Sequence, residues 1–187
     1  MIKRIAFSGK MGAGKTSACA LVSQELMGNV YVFSFAKKLK EMAGDLFEID
    51  PRSKYKDVRR ILQEFGSYMR LIDEDVWVKY LIRVMNEHLG YYGGVQLVDD
   101  MRYENEFWGL RKEGFLLVRL DAPPKTRFER MNHNLTWEDF LKASDHPSET
   151  DLDKIPSDEW DLIIDSSGSM GVMHNCIRVK LLGKEPI

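Results

Sequence analysis

The sequence has few of the features that mark secreted, metal-stabilised or membrane proteins. Only two of its 187 residues are cysteines, Cys19 and Cys176, and their spacing fits neither a disulfide framework nor a zinc site. No apolar run approaches the roughly 20 residues that a membrane span needs. The run from Ile5 to Ser8 is too short for the apolar part of a signal peptide. We therefore expect a cytoplasmic protein with no membrane partner.

The chain also lacks a strong charge of either sign. Its formal net charge is −2, so no overall positive field attracts nucleic acid, and any anion binding has to be local. The four histidines show no metal-ligand spacing. A length of 187 residues suits one domain, which we expect to span residues 1–187. What remains is a globular domain whose function depends on a local site.

Hydrophobic periodicity predicts strands that alternate with helices along the chain. Short apolar or β-branched runs indicate strands, and apolar residues at helical spacing indicate the helices between them. This alternation is typical of parallel strands joined by right-handed crossovers, so we expect a three-layer α/β fold. The predicted strands are Ile5–Ser8, Val30–Phe35, Val95–Val98, Phe115–Leu120 and Leu162–Ile164.

A glycine-rich stretch after the first predicted strand matches the phosphate-binding pattern GxxxxGK[ST] without a mismatch. Glycine lets successive backbone N–H groups turn towards one anion, and the following helix adds its positive end. We expect Lys15 to bridge the β- and γ-phosphates of ATP, and the Thr16 hydroxyl to bind Mg²⁺. A simple connecting turn would need neither residue. The residues expected to hold ATP here are Gly9, Met11, Gly12, Ala13, Gly14, Lys15, Thr16 and Ser17.

Carboxylates and arginines follow the third and fourth predicted strands. Asp99 and Asp100 end the third strand, where one of them can orient Mg²⁺ through its waters or accept the acceptor's proton. A solvated pair at a strand end is the alternative. Arg127 and Arg130 lie three residues apart on a predicted helix, so both can point at one phosphoryl group when a lid over about 123–150 closes. A solvated helix face is the alternative for this pair. The predicted catalytic residues are Lys15, Asp100, Arg127 and Arg130.

The helices expected over about 36–90 carry cations and an aromatic residue that suit a phosphorylated acceptor. Trp77 can stack on a base, although a tryptophan among apolar neighbours is more often part of the core. Arg102, just after the third strand, can hold an acceptor phosphate or pair with Glu104 or Glu106. Spacing alone does not decide between these roles.

Several blocks resemble the phage-type deoxynucleoside monophosphate kinases, a branch of the P-loop kinases near dephospho-CoA kinase and phosphomevalonate kinase. The block RRxxQxxG together with WVK is the most specific part of the resemblance. Thr16 is a departure, because phage members carry an acidic residue at that position. The blocks are the P-loop, residues 34–40, 59–66 and 77–79, Asp100 to Arg102 with Glu106, and residues 160–164 with Gly168.

The resemblance implies ATP- and Mg²⁺-dependent conversion of a deoxynucleoside monophosphate to its diphosphate. It also implies a P-loop NTPase fold of the nucleoside monophosphate kinase type, with a five-stranded parallel sheet of order 2-3-1-4-5 and a small lid. The ATP base is expected to lie along Ser167 and Gly168. The residues that the resemblance assigns to the acceptor are Lys40, Arg60, Gln63, Trp77 and Arg102.

Two other functions stay open at this stage. One is a kinase for another phosphorylated small molecule, such as dephospho-CoA or phosphomevalonate. The other is a nucleotide-binding switch that hydrolyses ATP without an acceptor, since a fold alone does not fix a function. The sequence does not reveal which bases are accepted, whether ribose is excluded, or whether the protein is a monomer or a homodimer.

Overall fold

The computed structural model of the protein describes residues 4–26, 28–50, 56–131 and 136–186; the side chains of residues 56, 57 and 59 lie outside this description. Strands and helices alternate through most of it. The strands are β1 Arg4–Ser8, β2 Val30–Phe33, β3 Val95–Met101, β4 Leu116–Asp121 and β5 Leu162–Asp165. The helices are α1 Lys15–Glu25, α2 Phe35–Phe47, α3 Lys56–Ile72, α4 Val76–Tyr92, α5 Glu104–Lys112, α6 Pro124–Arg130, α7 Trp137–Ser144, α8 Pro147–Thr150 and α9 Met170–Cys176.

The five strands form one parallel sheet in the order β2-β3-β1-β4-β5. Strand β1 lies at its centre, where Ile5 pairs with Leu97 of β3 and with Leu116 of β4. The predicted P-loop NTPase fold and its strand order are therefore confirmed. Because the chain leaves β1 for one side and later returns to the other, a crevice opens at the carboxyl ends of the central strands.

Alternating residues of the strands build two hydrophobic cores, one on each face of the sheet. Ala6 belongs to one cluster, whereas its neighbours Ile5 and Phe7 belong to the other, as the two-residue period of a strand requires. The cluster around Ala6 packs against α4 and α5, and the cluster around Ile5 packs against α1 and α9. These layers hold the carboxyl ends of the strands in place.

Some element boundaries differ from those that the sequence predicts. Strand β2 ends at Phe33, two residues early, because Ser34 is the N-cap of α2 and its carbonyl oxygen accepts from the backbone N–H of Lys37 at 3.3 Å. Strand β3 continues to Met101, so Asp99 and Asp100 lie inside the strand. The closing helix α9 ends at Cys176 and continues as a π-helical turn over Ile177–Leu181.

The segment over residues 136–160 contains short helices and turns. It includes α7 and α8 as well as the 3-10 turns Asp151–Lys154 and Ser157–Glu159, while residues 132–135 of the predicted lid lie outside the described residues. Within the described ranges, no helix combines the length and the apolar character needed to cross a lipid bilayer.

Candidate active site

The loop between β1 and α1 is curled and cannot accept side chains at two of its glycines. A Cβ atom on Gly9 would lie 2.5 Å from the carbonyl oxygen of Leu120, and one on Gly12 would lie 2.6 Å from that of Arg127. Gly14 has φ 98° at the start of α1, a left-handed conformation that favours glycine. The loop is thus closely packed at its glycines, the form that brings backbone N–H groups to a phosphate.

Lys15 is buried at the base of this loop. Its Nζ atom donates to the carbonyl oxygens of Gly9 at 2.6 Å and of Lys10 at 3.3 Å. Burial, followed by the nearby charge of Arg102, lowers the pKa of Lys15 to about 8. A bound anion would counter both effects, so the residue fits the phosphate-binding role predicted for it.

The two aspartates of β3 make different contacts. The Thr16 hydroxyl donates to Oδ2 of Asp99 at 3.3 Å, and burial followed by the charge of Asp100 raises the pKa of Asp99. Asp100 accepts hydrogen bonds from the Ser34 hydroxyl at 2.6 Å and from the backbone N–H groups of Phe35 at 2.8 Å and Ala36 at 2.9 Å. Asp100 therefore caps α2, and its contacts do not support the catalytic role predicted for it.

The hydroxyl of Thr16 and the carboxylate of Asp99 fit a magnesium ion. Both supply hard oxygen ligands beside a phosphate loop, and the carboxylate carries charge that a cation would neutralise. The sequence left open which aspartate serves the metal, and the geometry favours Asp99. Among the described residues there is no group of three or more histidine, cysteine or acidic side chains that could hold a metal without help. This is the ordinary situation for Mg²⁺, which keeps several waters and shares substrate phosphates.

Two clefts meet beside the P-loop. The first, which we call the P-loop groove, has a volume of about 420 Å³ and is lined by Gly12, Gly14, Lys15, Thr16 and Ser17 among others. The second, which we call the inner cavity, has a volume of about 270 Å³ and is bounded by residues of α2, α3, α4 and α8. The residues that line both clefts are Met11, Ala36, Lys40, Asp100 and Arg102.

The inner cavity combines apolar walls with a few polar side chains. Of the residues that the resemblance assigns to the acceptor, four line it: Lys40, Gln63, Trp77 and Arg102. Trp77 is buried, and its indole N–H donates to the carbonyl oxygen of Gly66 at 3.3 Å. Trp77 is therefore both a core residue and part of the cavity wall.

Arg60 is the exception to the predicted acceptor set. Its side chain does not line the inner cavity and is 66% exposed. It pairs instead with Glu64, one turn further along α3, with 3.5 Å between the charged atoms. The prediction that Arg60 contacts the acceptor is therefore not supported by this structure, because the residue lies on the solvent side of the helix.

Arg70 of the same helix does reach the cavity, and three contacts fix its guanidinium group. It donates to the carbonyl oxygen of Gly66 and to Oε1 of Glu106, both at 3.2 Å, and it lies 4.0 Å from the centre of the Tyr103 ring. Glu106 is buried in the wall of the inner cavity. Burial raises its pKa to about 7, against the opposing effect of the backbone N–H of Arg102.

The two predicted lid arginines differ from the expectation of mobile cations. Arg127 is buried, and its guanidinium donates at 3.1 Å to the carbonyl oxygens of both Ala122 and Met11. Arg127 therefore stabilises the P-loop through its hydrogen bond to Met11 and does not act as a mobile lid residue. Arg130 is exposed and donates to the carbonyl oxygens of Ser167 and Gly168, at 3.2 and 2.8 Å. The structure thus brings Arg130 to the loop after β5 that is predicted to border the ATP base.

Sequence reasoning missed Glu149, a buried carboxylate on α8. Its Oε2 accepts a hydrogen bond from the backbone N–H of Met11 at 2.5 Å, and its Oε1 pairs with Arg102. No signal in the sequence points to this residue, because it lies in a polar stretch without periodicity and its two partners are more than 40 residues away. Its position becomes visible only in the folded chain.

Comparisons with known proteins agree with this fold. A family model described as an AAA domain matches residues 5–139, more than half of the chain. A search of curated protein sequences finds no match. At identities of 14–18%, the solved structures described next show a shared fold and nothing further.

The similar structures include a sugar kinase from Janibacter sp., with a TM-score of 0.60, 14% identity and coverage of 97% of this chain and 95% of that chain. The tunicamycin resistance protein of Deinococcus radiodurans has a TM-score of 0.58 at 18% identity, with 99% and 98% of the two chains covered. Shikimate kinase from Acinetobacter baumannii has a TM-score of 0.52 at 15% identity, with 98% and 96% covered. The chain therefore belongs to the AAA domain family and has the fold of the P-loop kinases.

Proposed function

We propose that this protein transfers the γ-phosphoryl group of ATP to the phosphate of a deoxynucleoside monophosphate. The observation that carries the proposal is the shared wall between the P-loop groove and the inner cavity, which contains Lys40 and Arg102. A donor in the groove and an acceptor in the cavity would present their phosphates to each other across these two cations. Holding two reactants face to face is the main contribution an enzyme can make to this reaction.

The size and lining of the inner cavity support a nucleotide acceptor. Its volume of about 270 Å³ lies just below the usual range for ligand pockets, about 300–1,000 Å³, which suits one base and sugar better than an extended molecule such as dephospho-CoA. Phe35, Leu39 and Trp77 supply apolar surface for a base, and Gln63 and Arg70 supply polar groups. The deoxyribose part of the proposal rests on the resemblance of the sequence blocks.

The roles of the residues follow from their positions. The P-loop amides and Lys15 would hold the β- and γ-phosphates, and Thr16 and Asp99 would hold Mg²⁺. When bound, the ion would neutralise charge on the phosphates. Lys40 and Arg102 would hold the acceptor's phosphate. The second pKa of a phosphate monoester is near 6, so its oxygen is already ionised at neutral pH and no strong general base is needed. The use of Asp100 as a helix cap agrees with this.

The proposal is tested by measuring ADP release from ATP and Mg²⁺ against a panel of acceptors. The panel contains ribo- and deoxynucleoside monophosphates of every base, together with dephospho-CoA and phosphomevalonate. We expect one or more deoxynucleoside monophosphates to stimulate ADP release strongly. Stimulation by dephospho-CoA or phosphomevalonate alone would overturn the acceptor assignment, and ATP hydrolysis that no acceptor changes would favour a nucleotide-binding switch.

A further inference from the structure

Glu149 links two parts of the candidate site that are far apart in the chain. One of its carboxylate oxygens accepts from the backbone N–H of Met11 in the P-loop, and the other pairs with the guanidinium of Arg102 after β3. Only 2% of the Glu149 side chain is exposed. A carboxylate buried to this extent is costly unless its partners remain in place, so these contacts constrain both Met11 and Arg102.

The segment that carries Glu149 is itself fixed to the central strands. Asp153 pairs with Lys10 of the P-loop at 2.6 Å and with Arg119 of β4 at 3.0 Å. Asp151 accepts from the backbone N–H of Glu104 at 2.8 Å. The backbone around Glu149 is therefore held in place by these contacts. A substitution that alters only the carboxylate of Glu149 should change the positions of its partners and leave this backbone in place.

Arg102 is held along one side only. Its Nη1 atom donates to Glu149 and, at 3.1 Å, to the carbonyl oxygen of Ser148. Within residues 4–26, 28–50, 56–131 and 136–186, neither Nε nor Nη2 of Arg102 makes a hydrogen bond to protein. These remaining donors belong to a residue that lines both clefts. Nε and Nη2 can therefore bind an anion, while the two hydrogen bonds of Nη1 restrict the rotation of the guanidinium group.

Met11 is held at both its backbone N–H and its backbone carbonyl group. Glu149 accepts from its N–H at 2.5 Å, and Arg127 donates to its carbonyl oxygen at 3.1 Å. Met11 is part of the P-loop that would hold the donor, and it lines the wall shared with the inner cavity. The same carboxylate therefore sets the orientation of a donor-loop residue and of an acceptor-side arginine.

We propose, on the basis of the function proposed above, that Glu149 is a positioning residue for phosphoryl transfer. It acts through Arg102, whose guanidinium it orients towards the acceptor's phosphate, and it fixes Arg102 relative to the P-loop. Glu149 does not touch the reacting atoms. Its charge offsets that of Arg102 without occupying the Nε and Nη2 donors.

The test is the substitution Glu149→Gln, with Glu138→Gln as the matched control. Glutamine keeps the size of the side chain, but its NH₂ group faces either the Met11 N–H or the guanidinium, so one of the two bonds is lost. We expect the KM for the deoxynucleoside monophosphate to rise about tenfold, the size of one lost charge-assisted hydrogen bond. Glu138 is exposed and pairs with Lys142 on α7, away from both clefts, so its substitution should leave KM unchanged.

A double-mutant cycle with Arg102→Gln separates positioning from general structural support. If Glu149 acts through Arg102, then Glu149→Gln should raise KM about tenfold in the wild type and by much less when Arg102 is already replaced. Equal effects in both backgrounds, or a KM no different from that of Glu138→Gln, would overturn the proposal. Glu149→Asp retains the charge and should recover part of the loss, provided its melting temperature matches the wild type.

The wild-type protein distinguishes failure of this inference from failure of the proposed function. Acceptor binding is measured from tryptophan fluorescence, because Trp77 lines the inner cavity, and turnover is measured from ADP release. A wild type that neither binds nor turns over any nucleoside monophosphate contradicts the proposed function, and the role of Glu149 falls with it. A wild type that does both, with an unaltered Glu149→Gln variant, contradicts the role of Glu149 alone.

Discussion

Asp99 and Asp100 are adjacent in β3, and because side chains alternate along a strand they point in different directions. Asp99 faces Thr16 at the P-loop, whereas Asp100 faces the first residues of α2 and accepts three hydrogen bonds from them. The same residue type thus serves the candidate metal site at one position and the fold at the next. This difference can be measured.

We predict that Asp99→Asn mainly lowers activity, whereas Asp100→Ala mainly lowers stability. Asp99→Asn should lower kcat/KM about 10- to 100-fold and raise the Mg²⁺ concentration needed for half-maximal rate, with little change in melting temperature. Asp100→Ala removes the cap of α2 and should lower the free energy of unfolding by about 2 kcal/mol. Urea unfolding and a Mg²⁺ titration of the rate check both. The assignment is wrong if Asp100→Ala alone alters the Mg²⁺ dependence.

At the residue scale, the sequence predicts what local spacing determines. The location of Lys15 and Thr16 beside the P-loop could be predicted because the motif fixes their positions within one short loop. Arg127 could not, because the sequence shows two arginines on one helix face but not that one of them is buried against Met11. The position of Arg60 could not be predicted for the same reason, since the direction of a side chain around α3 depends on what that helix packs against.

The P-loop as an element depends on close packing against β4 and α6. Gly12 has φ 82°, and a Cβ atom there would lie 2.6 Å from the carbonyl oxygen of Arg127. We predict that Gly12→Ala weakens nucleotide binding at least about tenfold, because the loop has to shift, and lowers the free energy of unfolding by about 1–3 kcal/mol. Calorimetric titration with ATP and thermal unfolding measure the two effects.

Gly114→Ala is the control for this substitution. Gly114 also has a positive φ, 74°, but apart from its two chain neighbours no described residue places an atom within 4 Å of the position that its Cβ would take. It should therefore lower stability through backbone strain and leave nucleotide affinity unchanged. If both variants bind ATP equally well, the packing of Gly12 against α6 has no part in shaping the loop.

The end of α1 is tied to the C-terminal region by Glu25. Its carboxylate lies 2.6 Å from Arg178, 2.7 Å from His174 and 3.1 Å from Lys184. The hydrogen bond from Arg178 is the largest cause that lowers the pKa of Glu25 from 4.5 to about 2. The stabilisation that results is fully present above the unfolded-state value near 4.5 and is lost as the pH falls towards 2.

We therefore predict that Glu25→Gln destabilises the protein at pH 7 and that the difference from wild type shrinks between pH 4.5 and pH 2. Urea unfolding at a series of pH values measures it. Glu129→Gln, a change at an exposed glutamate of α6, serves as the control and should show no such trend. A difference between Glu25→Gln and wild type that is constant with pH would mean that the cluster does not stabilise the fold through this charge.

At the scale of the whole molecule, most of the fold can be predicted from the sequence, but only part of the candidate site can. The apolar run Ile5, Ala6 and Phe7 predicts a buried strand because each face of the sheet has its own core. The alternation of such runs with helices predicts the parallel sheet. Contacts between distant segments carry no such pattern. The hydrogen bonds between Met11 and Glu149 and between Ser34 and Asp100 join residues far apart in the chain. Only the folded structure brings these residues together.

The central claim is that two phosphate-bearing ligands meet at the wall shared by the P-loop groove and the inner cavity. It is tested most directly by incubating the protein with Mg²⁺, ATP labelled in its γ-phosphoryl group, and one deoxynucleoside monophosphate at a time. The account predicts that the label appears in the corresponding diphosphate, and that Lys15→Ala abolishes this transfer. Label found only in inorganic phosphate, whichever acceptor is present, would contradict it.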